Sequence, residues 1–155
     1  MNSSATAPSR RLILLAGLAL MLAACKDDAA TPYLEFAGGG FIFNYRTANH
    51  YYGFVVRQKK PIPDGARLRV DFEIPGGAVQ TIEEPAISGR LQYKFQTGDL
   101  DGIEPSRAYR ATLVLRSADG AELQRLEKSF RTEVDQAKLP DKPLVIGPGY
   151  QPNEQ

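Results

Sequence analysis

Side chains capable of acid–base or nucleophilic chemistry are sparse in this chain of 155 residues. The single histidine, His50, is predicted to lie in a turn between two apolar runs. A hydrolytic triad would need that imidazole beside an activated serine and an acid, and no serine of the chain lies in a nucleophile-elbow sequence. The sequence therefore favours an exposed turn histidine, and we expect no catalytic residues and no enzymatic activity.

The acidic residues also lack the spacing of a catalytic or metal-binding site. Glu83 and Glu84 are adjacent, so that in a strand they point to opposite faces of the sheet. Asp99 and Asp101 alternate before a glycine, but a calcium loop needs a bidentate acid near its twelfth position, where Arg110 is found. One histidine and one cysteine are too few for a zinc site. We therefore expect neither a metal nor any other cofactor.

The residue with the clearest chemical assignment is Cys25, the only cysteine of the chain. It follows Leu22, Ala23 and Ala24, at the end of an apolar run that begins after two arginines. A basic start, an apolar stretch of about ten residues and small residues before a cleavage point are typical of a secretory signal peptide, here residues 1–24. The stretch is too short to span a bilayer, which takes roughly 20 residues.

The sequence Leu22-Ala23-Ala24-Cys25 resembles the lipobox of bacterial lipoproteins. The resemblance implies that the Cys25 thiol receives a diacylglycerol, that cleavage precedes it and that the new amino group is acylated. Two or more acyl chains anchor a protein stably where one is marginal, at about 0.8 kcal/mol per buried methylene. Lys26 occupies the place where an aspartate would favour inner-membrane retention. The resemblance therefore implies a periplasm-facing anchor, in the outer membrane rather than the inner one.

The mature chain is nearly neutral, with 17 basic and 18 acidic residues once Arg10 and Arg11 are removed. This balance lacks the basic footprint of a nucleic-acid-binding protein. Residues 25–32 form a short polar segment, as expected of a lipidated tether. Residues 136–155 are rich in proline and glycine, a composition that disfavours a helix and favours an extended tail.

Between these segments, residues 33–135 alternate between apolar and polar side chains with the two-residue period of β-strands. Turns rich in glycine and proline separate the apolar runs, and Asp119-Gly120 is a strong hairpin signal. Residues 121–130 could also form an amphipathic helix, but the hairpin signal favours a last strand. The pattern predicts an all-β antiparallel sandwich of seven to eight strands.

Residues 103–113, IEPSRAYRATL, resemble the fibronectin type III motif Leu-x-Pro-x-x-x-Tyr-x-Val-x-Val. The resemblance implies an immunoglobulin/fibronectin type III-like β-sandwich in which Tyr109 forms a tyrosine corner. Its ring would pack in the core while its hydroxyl bonds to upstream backbone. The chain departs from the family by having no tryptophan in an early strand. Because this fold hosts many unrelated functions, the resemblance implies no activity.

Aromatic side chains near one hairpin are the best candidates for binding a ligand. Tyr45, Tyr51 and Tyr52 cluster there, with His50 and Arg57 interleaved. Because adjacent residues face opposite sides of a strand, we expect one of Tyr51 and Tyr52 to be exposed. An exposed tyrosine beside an arginine can stack on a sugar or on a partner's side chain. The alternative is ordinary sandwich packing with one surface tyrosine.

The tail carries four apolar residues that are unusual in a linker: Leu144, Val145, Ile146 and Tyr150. Two interpretations remain open. The tail either covers an edge strand of its own domain or docks on a second protein by adding to a sheet edge.

These observations predict a non-enzymatic, lipid-anchored interaction or assembly module of the cell envelope. Its expected partners are the membrane, through the lipid on Cys25, and another envelope protein. The alternative is a small module that binds glycan or peptidoglycan through the aromatics between Tyr45 and Arg57.

Overall fold

The structure is a computed structural model that describes residues 31–149 and 151–153. The predicted signal peptide, its lipidation motif and most of the tether lie outside the described residues, as does Tyr150. The motif residues concerned are Leu22, Ala23, Ala24 and Cys25. In the part of the chain that is described, no helix has the length and apolar character needed to cross a membrane.

Seven strands form two antiparallel sheets whose inner faces share one apolar core, and two short strands follow in the tail. In chain order they are β1 (Leu34–Asn44), β2 (Asn49–Gln58), β3 (Arg67–Glu73), β4 (Val79–Pro85), β5 (Gln92–Gln96), β6 (Tyr109–Arg116), β7 (Glu122–Phe130), β8 (Val145–Ile146) and β9 (Gln151–Pro152). The smaller sheet has the order β1-β2-β5 and the larger one β4-β3-β6-β7. The predicted all-β, immunoglobulin/fibronectin type III-like antiparallel sandwich is confirmed, including the strand rather than a helix at β7.

Alternate residues of each strand fill the space between the two sheets. The largest fully buried side chains include six aromatics from both sheets: Tyr52, Tyr93, Tyr109, Phe54, Phe72 and Phe95. The ring centroid of Phe54 lies 5.6 Å from that of Phe72 and 5.7 Å from that of Phe95. Because the chain has no tryptophan, phenylalanine and tyrosine rings supply the bulk at the centre of the sandwich.

Two of the buried tyrosines each hold a different loop against the core through the hydroxyl group. The Tyr109 hydroxyl accepts a hydrogen bond from the backbone N–H of Glu104 at 2.9 Å, which confirms the predicted tyrosine corner. The Tyr93 hydroxyl bonds to both the N–H and the carbonyl oxygen of Ile87, at 2.9 and 3.0 Å. The loops that precede β5 and β6 are therefore each held to a buried tyrosine of the strand that follows.

Glycines let β1 and β2 approach closely in the middle of the smaller sheet. A Cβ atom on Gly39 would lie 2.5 Å from the carbonyl oxygen of Gly53, closer than real Cβ contacts. The register of the two strands shifts between Phe36 and Gly38, where β1 has a bulge. This part of the sheet therefore presents backbone rather than side chains at its surface.

The side chain of Gln124 joins the two sheets at the point where the chain enters the sandwich. Its amide accepts a hydrogen bond from the N–H of Leu34 at 2.9 Å and donates one to the carbonyl oxygen of the same residue at 2.8 Å. Gln124 thereby occupies the edge of β1 as a neighbouring strand would. The first residue of β1 is thus held against the last strand of the larger sheet.

Candidate interaction surface

The predicted binding residues of the β1–β2 hairpin lie at several different places. Tyr45 is in the turn after β1 and is 42% exposed. Tyr51 is half-buried and pairs across the strands with Ile42, which is 40% exposed. Arg57 is exposed but lies six positions further along β2, about 20 Å away at 3.3 Å per residue. The structure therefore does not bring Arg57 together with Tyr45.

Tyr52 is not a surface residue, so its place among the predicted binding residues is corrected. Its side chain is fully buried, and its hydroxyl donates a hydrogen bond to the carbonyl oxygen of Glu73 at 2.6 Å. Burial, followed by the nearby Glu73 carboxylate, raises the pKa of the Tyr52 hydroxyl above its ordinary value. The sequence contained the signal, because Tyr52 shares its side of β2 with Phe54 and Val56.

The prediction of an exposed turn histidine is wrong for His50. The imidazole is only 5% exposed, because β2 already begins at the preceding residue and the ring packs 5.5 Å from that of Phe43. Two hydrogen bonds of the His50 backbone hold the residue against the β5–β6 connection, one to the Asp99 carboxylate and one to the backbone of Leu100. The N–H of His50 donates to Asp99 at 2.6 Å, and its carbonyl oxygen accepts from Leu100 at 2.7 Å. A direct contact of His50 with a partner at the open surface is therefore excluded.

The tail returns to the β1–β2 turn. Strands β8 and β9 form a small antiparallel hairpin, and the N–H of Leu144, just before β8, donates to the carbonyl oxygen of Tyr45 at 3.3 Å. Leu144 and Ile146 remain 51% and 47% exposed, while Val145 is half-buried. The tail thus contacts its own domain, but at a turn rather than along a strand edge, and its apolar side chains stay accessible.

The hairpin and the tail together form what we name the turn–tail surface, which consists of Ile42, Tyr45, Leu144 and Ile146. These are four of the seven large apolar side chains that are exposed in the described part of the chain. The other three, Val79, Ile87 and Leu91, lie on β4 and on the connection to β5. Exposed apolar groups gathered at one end of a domain are typical of an interaction site.

A second feature is an apolar cleft of about 340 Å³ at the outer face of the smaller sheet. Its floor is formed by Gly38, Gly39, Gly40 and Gly53, with Ile42, Val55, Lys94 and Gln96 among its other lining residues. A floor without side chains leaves room for a flat group to lie against the backbone.

The outer face of the larger sheet is charged, and Arg69 and Arg125 on this face are paired with carboxylates. Arg69 forms ion pairs with Asp71 at 3.1 Å and with Glu83 at 3.6 Å, and Arg125 pairs with Glu122 at 2.7 Å. Burial opposes ionisation of Asp71, but hydrogen bonds from Arg69 and Thr81 outweigh it and lower the pKa of that carboxyl. Exposed pairs of this kind contribute little to stability and leave few charges available to a ligand.

Among the described residues, no group of three or more histidine, cysteine, aspartate or glutamate side chains lies close enough together to hold a metal ion. No protein-family model matches the chain, and no curated protein is similar to it in sequence.

Proposed function

We propose that this protein is a non-enzymatic, lipid-anchored interaction or assembly module of the bacterial cell envelope. It binds another envelope protein through the turn–tail surface. The observation that supports this proposal is the hydrogen bond from Leu144 to Tyr45, which joins two segments about 100 residues apart into one surface. Four exposed apolar side chains supply the apolar centre of an interface, and a polar rim would complete the area of about 800 Å² that a stable interface takes from each partner.

The position of this surface suits a tethered protein. The chain enters the sandwich at Leu34, and the turn follows Asn44 at the other end of the 11-residue strand β1, about 33 Å away at 3.3 Å per residue. A lipid on Cys25 would therefore be connected to the end of β1 opposite the turn. The turn–tail surface lies at the end of β1 away from Leu34, where the chain enters the sandwich.

The lipid anchor is tested separately from the partner. Replacing Cys25 by Ala is expected to stop labelling by a radioactive fatty acid and to release the protein from membranes, because the thiol is the site of acylation. A Cys25→Ala protein that stays in the membrane without lipid label would overturn the proposed anchor and leave the interaction surface untouched.

The interaction is tested by chemical crosslinking in living cells followed by purification of the protein. Leu144→Ser is expected to remove a discrete crosslinked partner, because it replaces an exposed apolar side chain at the centre of the surface. The matched control is Leu91→Ser, which makes the same change at a residue that is 75% exposed outside the surface. A partner that is lost equally in both variants, or in neither, would contradict the proposed surface.

A second candidate function, binding of glycan or peptidoglycan, is supported by the glycine-floored cleft. The cleft borders Ile42, which pairs with Tyr51, so that an aromatic ring and a flat apolar floor lie on the same face. A sugar ring can lie on such a floor and stack on the tyrosine. A glycan that binds only the folded protein must raise its melting temperature, and Tyr51→Ala should abolish that rise. A rise that survives Tyr51→Ala would exclude this site.

A further inference from the structure

Strand β1 forms an open edge of the smaller sheet. The sheet has the order β1-β2-β5, so β1 pairs with β2 on one side only. In an antiparallel sheet, successive residues direct their backbone N–H and carbonyl groups alternately to one side of the strand and to the other. Every second residue of β1 therefore points its backbone groups away from β2, where an added strand could bond to them.

The hydrogen bonds of β2 show which residues of β1 face this edge. The carbonyl oxygen of Tyr52 accepts a hydrogen bond from the N–H of Thr97 at 2.9 Å, so the Tyr52 backbone faces away from β1. Its cross-strand partner Phe41 therefore directs its own backbone to the open edge, and Gly39 does the same by alternation. Within the described part of the chain, no loop, turn or side chain bonds to the backbone of these two residues.

The start of β1 shows what a partner at this edge supplies. The N–H of Gln58 donates to the carbonyl oxygen of Leu91 at 2.9 Å, so Leu34, the partner of Gln58 on β1, also faces the edge. There the Gln124 amide bonds to both the N–H and the carbonyl oxygen of Leu34. Beyond the bulge, Gly39 has no equivalent of Gln124 among the described residues.

A groove of about 470 Å³ lies along this edge, between β1 and the end of β7. Its lining includes Phe36 and Phe130, which pack against or within the core, and the exposed cations Lys128 and Arg131. Neither cation forms an ion pair within the described part of the chain, and the described residues that line the groove include no carboxylate. The groove therefore combines an apolar wall with uncompensated positive charge.

The placement of Lys128 restricts what can occupy the groove. It lies two positions before the buried Phe130, on the core-facing side of β7, and yet it is exposed. A charge that points inward from an edge strand discourages pairing with an apolar strand. A strand that carries carboxylates complements this charge, so the groove favours an acidic occupant.

We propose that the edge of β1 binds an acidic, extended segment of another protein, which adds to the smaller sheet as a fourth strand. Its backbone bonds to the outward-facing groups of Gly39 and Phe41, and its carboxylates lie near Lys128 and Arg131. Backbone pairing supplies the affinity, and the two cations supply the preference for acidic side chains. The site uses none of the residues of the turn–tail surface, so its test does not depend on the proposed function.

Amide hydrogen exchange of the full chain, measured by NMR, tests the open edge. The N–H groups of Gly39 and Phe41 should exchange faster than that of Gly40, which faces β2. Equal protection of all three would mean that another part of the chain covers the edge. Resonances of Gly39 and Phe41 that shift with protein concentration would mean that a second copy covers it. Either result would overturn the proposal.

The probe for binding is a short blocked peptide in which glutamate and valine alternate. Adding it should slow exchange at Gly39 and Phe41 in a saturable manner, and a peptide of alternating lysine and valine should not. Methylating one set of alternate backbone nitrogens of the probe should weaken binding about tenfold or more, because it removes the bonds to β1. Methylating the other set should have little effect. An absence of protection by the glutamate peptide, or equal affinities of the two methylated peptides, would overturn the proposed strand addition.

A charge reversal tests the role of the groove. Lys128 is exposed, so Lys128→Glu should leave the fold intact. It should weaken binding of the glutamate peptide about tenfold, because an attractive charge becomes a repulsive one. The matched control is Lys142→Glu, which makes the same change at an exposed lysine outside the groove and should leave the affinity nearly unchanged. Equal weakening in both variants, or in neither, would overturn the assignment.

Discussion

Replacing Tyr109 by Phe tests the link between the sequence motif and the stability of the sandwich. The Tyr109 ring is fully buried, and its hydroxyl accepts a hydrogen bond from the N–H of Glu104 at 2.9 Å. Phenylalanine keeps the ring and its packing, so the change removes the acceptor and leaves the partly buried N–H without a partner. Loss of such a bond costs about 1 to 2 kcal/mol of unfolding free energy. For a domain of this size, that lowers Tm by roughly 3 to 10 °C.

The assay is urea unfolding followed by circular dichroism, with thermal unfolding of the same samples. Tyr45→Phe is the matched control, because it makes the same chemical change at an exposed tyrosine whose hydroxyl bonds to no other described residue. The control should unfold within about 0.5 kcal/mol of the unaltered protein. If Tyr109→Phe were as stable as the control, the tyrosine corner would make no energetic contribution, and the reasoning from the motif would be refuted.

Two further predictions concern the core. Gly39→Ala should lower the unfolding free energy by about 1 to 3 kcal/mol, because its Cβ would lie 2.5 Å from a backbone oxygen of β2. Gly40→Ala meets nothing within 4 Å and should be nearly neutral in the same urea experiment, so equal losses would contradict the close approach of the strands. Burial raises the pKa of the Tyr52 hydroxyl in the folded state above its value in the unfolded state. The folded protein therefore holds the hydroxyl proton of Tyr52 more tightly than the unfolded chain does. The contribution of Tyr52 to the unfolding free energy should stay constant below about pH 10 and should fall as the pH rises further. If Tyr52→Phe showed the same loss of unfolding free energy at high pH, the raised pKa of Tyr52 would not be its cause.

The sandwich could be predicted from the sequence because its signals are local. The two-residue alternation is visible within each strand, and the motif of residues 103–113 contains both Tyr109 and Glu104, whose N–H donates to the Tyr109 hydroxyl. The sequence could also have shown which of Tyr51 and Tyr52 is buried, because Tyr52 lies on the same side of β2 as the apolar residues Phe54 and Val56. Local pattern thus accounts for the strands, the turn at Asp119-Gly120 and most of the core.

The candidate sites depend on contacts between distant parts of the chain, which a local pattern does not contain. His50 is covered by a segment about 50 residues further on, through the bond from its N–H to Asp99. The turn–tail surface needs the contact between Tyr45 and Leu144. A cavity of about 500 Å³ is lined by residues as far apart in the sequence as Ala48 and Asp141. Each of these sites follows from the topology of the two sheets rather than from residue spacing.

The central claim is that the turn–tail surface binds another envelope protein. The most direct test is to place a photoreactive phenylalanine analogue at position 45 and, in a separate control, at the exposed position 91, and to irradiate living cells. The proposed function predicts one adduct of discrete size from position 45 and none from position 91. An adduct from both positions, or from neither, would contradict it.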